Sequence, residues 1–156
     1  MVTLIDINKA INNKIKEALT GTEFSTVPLI AEDISEPITR PSIKVGIENS
    51  TNGKFNANCR EKNLTCRVYF FAKDRYKYKL DNSKMQDIIE TAFLEDLKIN
   101  ENFYIPIEEV ESNVSDTVLI SSFDLYSIEL MPEPAINDIG EAIETMEELQ
   151  YKEVIR

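Results

Sequence analysis

The sequence predicts an α+β domain, a mainly antiparallel twisted sheet with two helices packed on one face and a C-terminal amphipathic helix beyond it. Three observations carry that expectation. Apolar residues recur every three to four positions in two separate stretches, the period of a helix with one buried stripe. Between and after them, β-branched and aromatic residues alternate with polar ones, the period of a strand. Pro132 and Pro134 then stop the last strand, and helical spacing resumes past them. The implied boundaries are one α+β domain over 1–131 and a proline spacer with an acidic C-terminal helix over 132–156.

In chain order, Leu4, Ile7, Ile11, Ile15 and Leu19 form the first stripe, with Lys9, Asn12, Asn13 and Lys16 between them and Gly21 near its end. Five aliphatic side chains at 1.5–3 kcal/mol each give about 8–15 kcal/mol of gross burial. That packing holds the helix, because a segment of this length is marginal alone. Residues 27–30 read as a short strand that Pro28 assigns to an edge. Glu36-Pro37 and Arg40-Pro41 make 32–40 a loop. Ile43, Val45 and Ile47 then alternate as a half-buried strand.

The polar stretch 48–58 contains Asn52-Gly53, a tight-turn pair, and reads either as a hairpin tip or as a longer loop. In the next strand Leu64, Cys66, Val68, Phe70 and Ala72 face the core. Thr65, Arg67, Tyr69 and Phe71 face the other way, apolar enough to suggest a cover there too. A second helix, capped by Asp81, Asn82 or Ser83, buries Met85, Ile88, Ile89, Ala92, Phe93 and Leu97. A strand over 103–114, restricted by Pro106, turns at Ser115-Asp116 into the longest alternating stretch, 114–131, the predicted central strand. There Leu119, Phe123 and Leu125 share one parity and Tyr126, Ile128 and Leu130 the other, which predicts a bulge near Leu125.

The chain of 156 residues has no histidine, which removes the commonest general base and metal ligand and every Ser-His or Cys-His pair. Cys59 and Cys66 match no metal or redox spacing, and Cys66 reads as a buried free thiol. The glycines are scattered singly, so there is no phosphate-binding loop, and zinc and calcium spacings are missing. Glu32-Asp33, Glu108-Glu109 and Glu147-Glu148 are the only acid-base material; on a strand, Glu108 and Glu109 point to opposite faces and read as solvated. No enzyme, cofactor or metal site is expected. No apolar run is long enough for a bilayer, and the charged start is no signal peptide, so a cytoplasmic protein is expected.

Charge is uneven. Lys54, Arg60, Lys62, Arg67, Lys73, Arg75, Lys77 and Lys79 face only Glu61 and Asp74 in their stretch, whereas 133–156 holds seven acids against Lys152 and Arg156. Three readings of the basic stretch stand open. With Tyr69, Phe71, Tyr76 and Tyr78 interleaved it suits nucleic acid, which the net charge of −11 opposes. It is otherwise a solvated strand end, or one of two complementary patches through which copies of the chain meet head to tail and close a ring. Ile139, Ile143, Met146 and Leu149 keep helical spacing in the acidic tail, which either folds back or docks in a groove on a neighbour. The candidate partner contacts are therefore Arg60, Lys62, Arg75, Lys77, Lys79, Ile139, Ile143, Met146 and Leu149.

The N-terminal amphipathic helix, the strand from Pro41 to Ile47, the basic-then-aromatic strand from Arg60 to Phe71, a charged helix start, Asp116-Thr117-Val118-Leu119 and Met146-Glu147-Glu148-Leu149 together resemble the small tail terminator proteins of phages and phage-tail-like bacteriocins of Gram-positive bacteria. The resemblance is one of layout over nearly the whole chain. It implies a subunit of a hexameric ring that caps the tail tube, stops its polymerisation and presents a surface to the neck or head connector. The implied partners are copies of the same chain, the tube, and a sheath or neck protein, with no membrane and no specific nucleic acid. The implied location is the host cytoplasm during assembly, then the virion or phage-tail-like particle. Stretch 48–58 is then expected to reach towards the tube or lumen. The reading from another class is an acidic monomeric adaptor, chaperone or inhibitor that binds a basic partner through the tail.

Overall fold

A computed structural model describes residues 1–30 and 38–132. Helix α1 (Leu4–Leu19) starts on Thr3, whose hydroxyl accepts the Asp6 N–H while the Asp6 carboxylate accepts the Thr3 N–H. This reciprocal cap satisfies two donors at the helix start. Ile7, Ala10, Ile11, Ile15 and Leu19 are buried, but Leu4 stays 43% exposed, so the stripe begins one turn later than the spacing predicts. Gly21 takes φ +80, a left-handed turn that costs glycine little.

Five strands, β1 (Leu29–Ile30), β2 (Ser42–Lys54), β3 (Cys59–Phe71), β6 (Glu111–Ser115) and β7 (Val118–Leu130), form one sheet in the order β1-β2-β3-β7-β6. The sheet is mixed: β1 runs parallel to β2 at the edge, and the other neighbours are antiparallel. A separate two-stranded sheet pairs β4 (Leu97–Asn100) with β5 (Phe103–Ile105). Residues facing each other across the large sheet explain the core. Ile43, Phe70 and Leu119 stand in one row, Ile47, Cys66 and Phe123 in another, and Leu64 opposes Leu125. With Ile7, Ile11 and Ile15 of α1 and Met85 and Ile89 of α2 (Lys79–Ala92), they make one cluster, so both helices cover the same face. The Phe93 ring lies on Phe123 with centroids 4.5 Å apart. The α+β class is as expected.

Several local expectations are corrected. α2 begins at Lys79, earlier than the predicted caps, and Tyr78 at its N-cap gives no side-chain hydrogen bond. Asn82 is instead buried one turn in, donating to the Thr117 carbonyl at 3.1 Å. Leu97 begins β4 rather than ending the helix. The strand predicted over 103–114 is divided, because 106–110 leaves the ladder at Pro106, which has no N–H to donate. The 114–131 stretch likewise holds the end of β6, the turn at Asp116-Thr117 (φ 46 and 70) and β7, while β3 occupies the middle of the sheet.

The hairpin tip is not at Asn52-Gly53, which pair with Lys62 and Glu61 inside the ladder. The chain turns at 55–58, where the Asn56 carboxamide oxygen accepts the Asn58 and Cys59 N–H groups at 2.9 and 2.7 Å. An asparagine side chain that takes the place of backbone acceptors sets such a turn. An irregularity between Glu48 and Thr51, with Asn49 at φ 51, absorbs the extra length of β2.

The bulge near Leu125 is absent. β7 pairs with β3 without a break from Leu119–Phe70 to Leu130–Cys59. Leu119, Phe123 and Leu125 keep to the core face, and beyond Leu125 that face carries Ser127 and Glu129. Tyr126, Ile128 and Leu130 stand on the opposite, exposed face. The change of parity in the sequence is thus a change in which face is apolar, with a regular backbone beneath it. The predicted C-terminal helix and most of the 32–40 loop lie outside the described residues.

Candidate assembly surface

The face of the large sheet turned away from α1 and α2 is built from the second parity of each strand. At its centre it is polar and tied together. Arg67 pairs with Glu48 at 3.1 Å, the Tyr69 hydroxyl donates to the same carboxylate at 3.2 Å, and the Thr65 hydroxyl donates to Asp124 at 2.6 Å. Among the described residues the cover suggested for this face is found at one end: Phe71 is 3% exposed, with the Arg40 guanidinium 5.8 Å from its ring centroid and bonded to the Ala72 carbonyl.

Towards the β2–β3 tip the same face becomes apolar and open. Tyr126, Ile128 and Leu130 follow one another along β7, and Leu130 is 74% exposed. Phe55 stands exposed at the tip itself. The Tyr126 hydroxyl donates to Glu61 at 2.8 Å, and that bond raises its pKa above the usual phenol value. Beside this strip, residues 106–110 border a cleft of about 630 Å³ lined by Glu108, Glu109, Glu111, Asp124 and Arg67. Glu108 and Glu109 were expected on opposite faces of a strand; outside any strand, both line the cleft. Among the described residues no three His, Cys, Asp or Glu side chains group to hold a metal.

The structure separates the basic candidates. Arg60 is mostly buried and ion-paired with Glu129, and also donates to the Val2 carbonyl at 3.2 Å. The Val2 N–H completes the link by donating to Glu129 at 2.9 Å. Partial burial opposes the charged carboxylate, but the Val2 N–H and the Arg60 guanidinium outweigh it and hold Glu129 below its ordinary range. Lys62, two residues on and on the same face, is buried. Arg75, Lys77 and Lys79 are exposed beyond the other end of β3. The stretch of β3 from Lys62 to Phe71, at about 3.3 Å per residue, alone puts roughly 30 Å between the two groups.

In the 73–79 loop, Asp74 accepts the Tyr76 and Lys77 N–H groups at 2.8 and 3.3 Å and presents Tyr76 90% exposed. Among the described residues none of Lys73, Arg75, Lys77 and Lys79 has an ion-pair partner. Ile139, Ile143, Met146 and Leu149 lie outside the described residues, but the point from which their segment departs is defined. The Met131 N–H donates to the Asn58 carbonyl at 2.8 Å, at the tip and far from the basic loop. Sequence reasoning missed the strip of Tyr126, Ile128 and Leu130 as surface. Its signal was the parity change, which names a second apolar face as readily as a bulge.

Both cysteines are free, and burial, then the nearby Asp124 charge, pushes the Cys66 thiol up to about 12. What this chain offers is shaped surface, one face covered by helices and the other graded from polar to apolar, which defines a small α+β protein with an exposed sheet face. The chain belongs to the phage tail terminator family: the family model described as phage tail terminator protein matches residues 6–137. That membership gives it a structural, non-enzymatic kind of role in tail completion, in contact with other tail proteins and associated with the virion. Comparison with curated proteins gave no match. No described helix is long and apolar enough to cross a membrane.

Proposed function

We propose that the chain caps the tail tube as a ring of identical subunits, six in the number its resemblance implies, stops tube polymerisation and joins the tail to the neck. The observation that carries the ring is the polarity of the subunit. Cations without an ion-pair partner among the described residues project beyond one end of β3, and an exposed apolar strip occupies the other end. Two unlike ends meet head to tail, and a heterologous contact of that kind closes into a ring when its rotation divides a full turn. Arg75, Lys77 and Lys79 serve as contacts directly. Arg60 and Lys62 serve by keeping the tip end of the sheet in place. The polar stretch 48–58, as half of the projecting hairpin, points towards the tube or lumen.

The reading is tested by light scattering on the purified chain and by the length of tubes grown from the tube protein in its presence. A particle several times 17.9 kDa that halts tube growth is the expected result. A lone 17.9 kDa species at every concentration, with tubes growing unchecked, would refute it and favour an acidic adaptor.

A further inference from the structure

We infer that the acidic segment 138–149 of one copy docks on the basic loop 73–78 and the first residues of α2, Lys79 and Leu80, of the next copy, with Tyr76 and Leu80 as its apolar anchors. The inference rests on the ring reading and specifies its contact. It begins from the loop. Four cations, Lys73, Arg75, Lys77 and Lys79, stand without ion-pair partners among the described residues around two large exposed side chains, Tyr76 at 90% and Leu80 at 66%. The bonds from Asp74 to the Tyr76 and Lys77 N–H groups hold the ring outward, so little conformational freedom is lost when a partner covers it. An exposed tyrosine ringed by cations is the composition of an interaction hot spot for a partner that is acidic and apolar at once.

The same chain carries such a partner. Asp138, Glu141, Glu144, Glu147 and Glu148 accompany Ile139, Ile143, Met146 and Leu149 at helical spacing, charge complementing charge and stripe complementing anchor. The family match stops at residue 137, so this segment lies beyond the region the family model describes.

Geometry places the contact between copies. The segment departs beside Asn58, about 40 Å from the loop at 3.3 Å per residue of β3. Eight residues from Met131 to Ile139 span at most about 28 Å when fully extended. Ile139, the first anchor of the stripe, therefore falls short of its own loop, whereas a neighbour's loop brought to the tip end meets no such limit.

The test uses charge reversals in the full chain, read by light scattering at low salt. One variant carries Arg75→Glu, Lys77→Glu and Lys79→Glu, and the other carries Glu141→Lys, Glu144→Lys and Glu147→Lys. Each alone is expected to weaken self-association about tenfold or more, and an equimolar mixture of the two, or one chain carrying both sets, to restore it. Tyr76→Ala is expected to weaken it without a charge change. Restoration also shows that the variants fold. If the wild type assembles and the reversals leave its mass unchanged, or the mixture stays dissociated, the inference is overturned while the ring stands. If the wild type itself is a 17.9 kDa species at every concentration, the ring reading fails first and takes this contact with it.

Discussion

Arg60 and Glu129 give the sharpest test of how the tip end of the sheet is held. Their side chains are 13% and 10% exposed, and through the Val2 N–H and carbonyl they fasten β3 and β7 to the residue just before the α1 cap. Glu129→Gln keeps the shape and an acceptor for Val2 but leaves the guanidinium without its counter-charge. Breaking one half of a mostly buried pair costs about 2–3 kcal/mol, at the lower end for such pairs because solvent reaches the edge of this one. Arg60→Met is expected to cost about as much, since it strands the carboxylate instead. The double change, which strands neither charge, is expected to cost well under the sum, with a coupling of about 2 kcal/mol. Urea unfolding of the full chain at neutral pH measures all four corners.

The same pair fixes a pH dependence. Because the folded-state pKa of Glu129 lies below its ordinary 4.5, the unfolded chain takes up this proton first as pH falls. The stabilisation is complete above about 4.5 and is lost as the pH drops through the lowered folded value. Glu129→Gln is therefore expected to flatten that part of the acid limb. Additive single changes, or an acid limb untouched by Glu129→Gln, would refute the pair as the fastening of this end.

Thr117 holds φ 70 with a β-branched side chain, and its hydroxyl is buried with no hydrogen-bond partner. Thr117→Gly is expected to raise stability by about 1 kcal/mol, seen as a higher midpoint of thermal unfolding. Cys66, buried with its thiol pKa near 12, is expected to resist a thiol reagent in the folded protein and to react only as fast as the sheet opens; mass spectrometry of timed samples reads this. Ile128→Asp and Leu130→Asp, on the open strip, are expected to change unfolding stability by no more than about 0.5 kcal/mol while reducing the assembled fraction in light scattering. Loss of folding in either would mean the strip is core.

Much of the fold was legible because it rests on local periodicity. Ile7, Ile11 and Ile15 declare a helix wherever they stand, and Leu64 through Ala72 declare a half-buried strand. The α2 start carries no such local signal, because Tyr78 opens the helix without a side-chain cap and Asn82 is spent on the Thr117 carbonyl 35 residues away. The candidate surface was less legible than the core. Arg60 and Arg75 look alike in a charge count, and only the register of Glu129 opposite Arg60 shows that Arg60 is consumed inside the subunit, whereas Arg75 has no ion-pair partner among the described residues.

The sequence alone determined the class, the helical stripes, the core strand, the edge strand that Pro28 marks, and the separation of basic middle from acidic end, because each depends on spacing or composition. The tertiary structure alone decided the mixed sheet order, the division of 103–114, the hairpin tip at 55–58 and the face on which Tyr126, Ile128 and Leu130 stand. Those depend on which distant strand lies alongside. Periodicity reports that a residue has a neighbour in the core, and only pairing across the sheet reports which neighbour it is.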